Sequence, residues 1–360
     1  MNQIRWLVRE SAERIFREHR EGFETAGEDA WPADLWNTLE EAELTVVAVP
    51  VERGGAGGEL GDAMSVLREA GRYAVPLPLA ETFLAGWMLA ASGQHVSSGF
   101  ITLAPVGERD VLSLERNGGA WILNGRAQGV PWASAAKEIV VIADGGNGSQ
   151  LARIEPNRCH ITRGTNLAGE QRDNVVFDHL ELSEQEVFAA PEDVDVESVR
   201  WLGALTRAVL MAGAMETMLA LTVQHAQQRI QFGRPIAKFQ AVQQQIAALA
   251  GEVAAAGRAA DVAVEAAERC RADIEIAVAK ARIGEAVTIC NEIAHQVHGA
   301  IGFTREHVLH RYSRRLWSWR DEFGPEVKWQ ADLGRQIVAG GAENLWDFIT
   351  GTYSESIQHE

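Results

Sequence analysis

Apolar residues recur at three- and four-residue spacing through long parts of the chain, the pattern of helices that bury one face. One stripe runs through Leu205, Val209, Ala212, Met215, Leu219 and Thr222, and a second through Val242, Ile246, Leu249, Val253, Ala256 and Ala260. A third runs through Ile283, Val287, Cys290, Ala294 and Val297, and Trp329, Leu333 and Ile337 begin a fourth. Four long antiparallel helices predict a bundle over 191–360. Residues 1–97 read as a smaller helical domain in which Leu35, Leu39 and Ala42 share a face. Pro50, Gly54, Gly55 and Gly57 interrupt it, and Pro76 and Pro78 precede an apolar helix at 80–91.

The period changes over 98–190. Short β-branched runs, Glu138-Ile139-Val140-Val141-Ile142 and Asn174-Val175-Val176-Phe177-Asp178-His179-Leu180-Glu181-Leu182, predict strands. Asp144-Gly145-Gly146-Asn147-Gly148 is a hairpin signal, because Gly and Asn supply the positive φ that tight connections need. The expected fold is α+β and multidomain: a helical N-terminal domain, a β domain in the middle and a C-terminal helical bundle.

Composition narrows the partners. A chain of 360 residues, 46% hydrophobic, can bury a large core. Its 50 acids against 33 Lys and Arg give a formal charge of −17, which repels polyanions and argues against nucleic acid. Cys159, Cys270 and Cys290 form no Cys-x-x-Cys and have no neighbouring histidine cluster, so no metal is expected and they read as core residues in a reducing compartment. The N-terminus shows no secretory pattern and no apolar stretch of about 18 residues stands out, so neither export nor a membrane span is expected and the cytoplasm is the expected location.

The candidate chemistry lies in three segments: Arg229-Ile230-Gln231-Phe232-Gly233, then Phe239-Gln240, then Gln296-Val297-His298-Gly299-Ala300-Ile301-Gly302-Phe303. They offer a cation, amides and an aromatic ring, followed by glycines where a backbone can approach a phosphate. In this order and spacing they resemble the C-terminal domain of the acyl-CoA dehydrogenase family. Val49-Pro50-Val51-Glu52-Arg53-Gly54-Gly55-Ala56-Gly57 and Glu69-Ala70-Gly71-Arg72 extend the likeness into the N-terminal half.

The resemblance implies that family's fold, with a β-barrel-like middle domain and a C-terminal four-helix bundle, together with FAD and an acyl-CoA substrate. In the family's reaction a carboxylate removes the α-proton of an acyl thioester and the flavin accepts a hydride from the β-carbon. It also implies that each flavin site is built from two subunits. Carried over residue by residue, Arg229 meets the pyrophosphate, Phe232 packs the adenine side and Gln240 adds an amide, with Gln231, Gly233 and Phe239 in the same segments. Gln296, His298, Gly299 and Gly302 belong to the second phosphate-side wall, where Ala300 replaces the usual glycine.

The ring side departs from the family's pattern. Gly129, Val130 and Pro131 stand where tryptophan, isoleucine and a hydroxyl residue are usual, and proline has neither amide hydrogen nor hydroxyl. Trp132 comes one step late and restores the contact only if the loop shifts. A turn normally rich in a hydroxyl and a carboxylate is reduced to Thr102-Leu103-Ala104-Pro105-Val106-Gly107. The two places that carry the family's base hold Gly203 and Phe323-Gly324. Glu322, one residue early, or Asp321 acts as base if the register slips; otherwise they are exposed loop acids beside Arg320. His307 and His310 are acid/base candidates or structural, and the arginines from Arg311 to Arg320 either meet coenzyme A phosphates or pair with acids.

The segment Gly302-Phe303-Thr304-Arg305-Glu306-His307 resembles family members that assemble as unlike subunits in bacterial steroid side-chain breakdown. Three readings therefore stand. The chain is a subunit that completes the FAD site of a base-bearing, dehydrogenase-like partner, or a self-sufficient enzyme with Glu322 or Asp321 as displaced catalytic base, or a non-catalytic acyl-thioester-binding scaffold. Trp317, Trp319, Trp329 and Trp346 read equally as contacts between chains in a homo- or hetero-oligomer or as core.

Overall fold

The computed structural model describes residues 3–25, 31–105, 107, 110–269 and 272–346; Val106 and Cys270 lie outside the described residues. Four helices come first: α1 (Gln3–Thr25), α2 (Ala33–Glu41), α3 (Leu60–Arg72) and α4 (Leu79–Ala91). Eight strands follow: β1 (Ile101–Ala104), β2 (Val111–Asn117), β3 (Ala120–Pro131), β4 (Glu138–Asp144), β5 (Ser149–Ile154), β6 (His160–Thr162), β7 (Arg172–Leu182) and β8 (Val187–Ala189). The rest is α5 (Val196–Gln228), a small hairpin of β9 (Ile230–Gln231) and β10 (Arg234–Pro235), then α6 (Gln240–Ala267), α7 (Asp273–His298), α8 (Leu309–Asp321) and α9 (Glu326–Gly340).

The eight strands form one sheet in the order β6-β7-β3-β2-β4-β5-β8, with β1 parallel to β4. The glycine-rich turn makes the expected hairpin: β4 and β5 pair antiparallel up to Asp144 opposite Ser149, with Gly146 at φ 82° and Gly148 at φ 118°. Alternate residues such as Leu114, Leu123, Val141, Val175 and Phe177 fill one face. The other face, with Ile101, Leu103, Val140 and Ile142, packs against Leu84, Met88 and Leu89 of α4.

The helices before and after the sheet share one core, centred on α5 and running from Phe16 and Leu67 to Met215, Ile283 and Trp329. α3 crosses α5 at glycines: a Cβ at Gly71 would collide with the Leu210 carbonyl, and one at Gly213 with the Arg68 carbonyl. That approach sets the N-terminal helices firmly against the bundle.

One expectation is corrected. α5 is long and apolar enough to cross a membrane by length and composition, contrary to the reading that no such stretch exists, yet most of its apolar window is buried inside the protein as a core helix. From α5 onward the described residues hold five α-helices, the four expected and α8, whose short stripe of Leu309, Tyr312, Leu316 and Trp319 is interspersed with arginines and serines. Of the tryptophans, Trp319 and Trp329 are core residues whereas Trp346 is exposed.

Candidate functional site

The first candidate region forms where α5 and α7 end side by side. α5 stops at Gln228, and the chain reverses through Phe232 (φ 52°) and Gly233 (φ 79°), two left-handed residues that make the tight turn between β9 and β10. Phe232 stands at the tip, 92% exposed. Its ring meets Phe239 edge-on at 6.1 Å, and the Arg234 guanidinium lies 4.3 Å from the Phe239 centroid. Gln240 then opens α6. Opposite, α7 ends at His298 and turns through Gly299 at φ 63°.

Contact between His225, one turn before Arg229, and His298 at 4.5 Å ties the two segments together. The fold thus brings Arg229, Gln231, Phe232, Gly233, Phe239, Gln240, Gln296 and Gly299 to one end of the bundle. Arg229, Gln231, Gln240 and Gln296 are exposed, and their side chains have no hydrogen-bond partner among the described residues. Gly302 is buried, where a Cβ would press on His298.

His298 is the exception within this wall. It is only 5% exposed, its Nδ1 donates to the Ala294 carbonyl at 2.7 Å, and its Nε2 is buried without a hydrogen-bond partner. Burial pushes its pKa down to about 4. The structure sets this side chain behind the exposed surface, not on it.

The second region is a cleft of about 880 Å³ lined by Gly129, Pro131, Asn166, Arg172, Arg207, Asp321, Glu322 and Phe323 among others. Its backbone groups on the sheet side are engaged: the Pro131 carbonyl accepts from Thr102 Oγ1 at 2.8 Å, and the Gly129 amide donates to Asn174 Oδ1 at 3.3 Å. Trp132 is 3% exposed and adopts φ 52°. It turns into a cluster with Trp31, 5.1 Å away edge-on, alongside Trp36 and Phe100.

Beneath the cleft lies a lattice of three acids and three arginines. Arg207, within the apolar run of α5, donates to Glu81 of α4 and, at 2.5 Å, to Glu322. Arg172 donates to Glu322 at 2.9 Å and to Glu170 at 3.1 Å, and Arg315 reaches Glu170 at 3.2 Å. Trp319 Nε1 and Asn166 Nδ2 also donate to Glu170, at 3.1 and 2.9 Å. The cavity within this lattice measures about 20 Å³. That is room for roughly one water, against at least about 300 Å³ for a small-molecule pocket.

Glu322 is therefore not an exposed loop acid. Burial raises its pKa, but Arg172 and Arg207 more than offset this and hold it at about 2. Asp321 is exposed on the rim. The other two candidate positions abut each other: a Cβ on Gly203 would collide with the Phe323 ring, over which Arg207 stacks at 5.2 Å. Lys280, brought down to about 7 by burial and Arg207, donates to the Arg320 and Gly324 carbonyls at 2.6 and 2.7 Å.

The arginine cluster resolves into contacts within the chain. Arg311 donates to the Glu24 carbonyl, Arg314 to that of Leu167, and Arg320 pairs with Glu326. His310 Nδ1 contacts the His307 carbonyl at 2.7 Å. Burial pushes the thiol of Cys290 up to about 12 and that of half-buried Cys159 up to about 11, which makes both inert. Glu81 and Arg207 went unremarked in the sequence, although a lone charge inside an apolar helix is the signal that marks such a pair.

The helix, sheet and helix arrangement, with its flavin-type segments at one end of the bundle, defines a dehydrogenase-like flavoprotein fold. Residues 2–96 match the family description "Acyl-CoA dehydrogenase, N-terminal domain" and residues 202–320 match "Acyl-CoA dehydrogenase, C-terminal domain". The chain belongs to the acyl-CoA dehydrogenase family, whose members are FAD-dependent oxidoreductases. It is 30% identical to acyl-CoA dehydrogenase IpdE2 of Mycobacterium tuberculosis, over 81% of this chain and 82% of that one. Among solved structures it is similar to the Tcur3481–Tcur3483 steroid ACAD variant, with a TM-score of 0.82, 26% identity and coverage of 94% of this chain and 98% of that one. The ChsE4–ChsE5 complex of Mycobacterium tuberculosis shares the fold at a TM-score of 0.81 and 21% identity, over 94% of this chain and 98% of that one.

Proposed function

We propose that this chain is the subunit of a heteromeric acyl-CoA dehydrogenase that holds the nucleotide end of a flavin whose ring lies in a partner of the same fold. The observation that carries the reading is an asymmetry. At the end of the bundle a cation and three amides stand exposed with no hydrogen-bond partner among the described residues, beside an exposed aromatic ring, while the interior below the cleft is closed by ion pairs. FAD, when bound, supplies the electron acceptor for α,β-desaturation of an acyl-CoA thioester. Arg229 gives the pyrophosphate a charge-assisted bond, Gln231, Gln240 and Gln296 add amide contacts, and Phe232 packs the adenine. The proton acceptor comes from the partner. Relatives whose names join two chains support a hetero-oligomer, and the unpaired thiols fit the cytoplasm.

A second reading, self-sufficient catalysis, draws on the roomy cleft with Glu322 in its wall. A carboxylate held at about 2 is a weak general base, and it would have to leave two arginines to reach a substrate. Purification alone and after co-expression with candidate partner chains separates the readings. The proposed role predicts little flavin and no thioester oxidation from the isolated chain, with both appearing in the complex. Full flavin and turnover in the isolated chain, abolished by Glu322→Gln, would establish the second reading; no flavin in either preparation leaves the scaffold.

A further inference from the structure

The fold gathers three histidines that the sequence keeps far apart. His225 lies in the last turn of α5, His298 is the last residue of α7, and His307 sits in the loop before α8. Their rings are 4.5 Å (His225 to His298), 4.7 Å (His298 to His307) and 6.3 Å (His225 to His307) apart between centroids. One nitrogen from each lies within 4.8 Å of the others.

The buried member has the orientation of a ligand. The bond from His298 Nδ1 to the Ala294 carbonyl, at 2.7 Å, places the proton on Nδ1 and leaves the Nε2 lone pair bare. That Nε2 is buried and accepts no hydrogen bond, and such a group in a folded interior calls for an explanation. No carboxylate or hydroxyl is bonded to it; the ionisable groups acting on it are the imidazoles of His225, His307 and His295. His225 and His307 are only half-buried, so the side of the cluster opposite His298 faces outward.

We infer that His225, His298 and His307 form a three-histidine site for a borderline divalent cation such as Zn²⁺ or Co²⁺, with an outward fourth position for water. Imidazole nitrogens suit these ions, and three protein ligands with an open position is an established coordination pattern. Metal–nitrogen bonds of about 2.0–2.1 Å bring tetrahedral ligand atoms to roughly 3.4 Å from one another. The present spacing, up to 4.8 Å, must therefore contract by up to about 1.4 Å. His225, at a helix end, and His307, in a loop, supply that movement by side-chain rotation, while His298 stays anchored on Ala294. His307 exchanges its 3.2 Å contact from the Leu309 amide for the metal. A metal here ties the ends of α5 and α7 to the start of α8.

The inference does not depend on the flavin reading, because neither flavin nor a partner enters its test. The untagged full-length chain, stripped with chelator, is titrated with Co²⁺ followed by absorption and with Zn²⁺ by competition. One ion per chain is expected, with a rise in melting temperature. His225→Ala and His307→Ala each lower affinity by at least about tenfold and remove the melting shift, while His179→Ala, on the exposed surface of β7, changes neither. If one of the two variants does not fold, the other carries the test. Absence of stoichiometric binding, or binding unchanged by both substitutions, overturns the site.

Discussion

The two ends of the region where a flavin belongs in this family contrast sharply in this chain. At the tips of α5 and α7, Arg229 and three glutamines stand in solvent with no intrachain partner among the described residues, and Phe232 is almost wholly exposed. Below the cleft, Arg207 (3% side-chain exposure) and Glu81 (2%) are dry, paired and joined to Glu322, Arg172, Glu170 and Arg315. Exposed polar groups without partners suit a ligand from outside. Buried charges that satisfy one another fill a space and hold it shut. On the proposed function, the fold keeps one half of a shared site ready and turns the other half into structure.

The sharpest way to break this contrast is Arg207→Ala, which strands the buried Glu81 carboxylate. A loss of about 3–5 kcal/mol of folding stability is expected in denaturant unfolding; a change below about 1 kcal/mol would mean that the lattice does not hold the interior together.

Glu322→Gln comes next. The folded-state pKa of Glu322, about 2, lies below its ordinary value of 4.5, so its stabilisation is fully present above that ordinary value and is lost as pH falls through 2. The shift corresponds to about 3 kcal/mol at neutral pH. Wild type and variant should differ by that order at pH 7 and converge near pH 2. Parallel stability curves across this range would show that the ion pairs are not what lowers the carboxylate.

At the open end the expectation reverses. Arg229→Ala should leave stability within about 0.5 kcal/mol of wild type, yet weaken flavin retention in the complex by about 1.5–3 kcal/mol, the usual worth of a hydrogen bond to a charged group. Equilibrium dialysis of the complex reads this directly. Phe232→Ala is the mildest change, with no measurable effect on folding and about 1 kcal/mol in flavin affinity. A large stability loss from either substitution would place these residues in the core of the fold.

Local pattern made much of this architecture legible. The stripes of α5, α6 and α7 appear because each helix buries a continuous face, and the Asp144 to Gly148 turn appears because its glycines adopt positive φ. The segment from Arg229 to Gly233 was recognisable as a motif, but its form was not: the composition around it is helical, and only the paired left-handed residues show the hairpin. α8 escaped although Leu309, Tyr312, Leu316 and Trp319 recur at three- and four-residue spacing, because the stripe is short and four arginines interrupt it.

The lattice and the histidine cluster were invisible for a different reason. Arg207 meets Glu81 across 126 positions and Glu322 across 115, and such pairings are fixed only when α4, α5 and the end of α8 have packed. Periodicity within one helix contains no information about them. Glu322, read either as a displaced base or as an exposed loop acid, is a paired carboxylate, and Trp132, which restores the ring contact only if the loop shifts, lies among Trp31, Trp36 and Phe100.

The central claim is the one-sided site, and flavin content per chain measures it most directly. The isolated protein should carry less than about one flavin per ten chains, and the complex with its base-bearing partner about one flavin per pair, since exposed polar contacts to a nucleotide tail alone make a weak site. Stoichiometric flavin in the isolated protein, with its ring seated beside Pro131 and Glu322 released from Arg207, would contradict it.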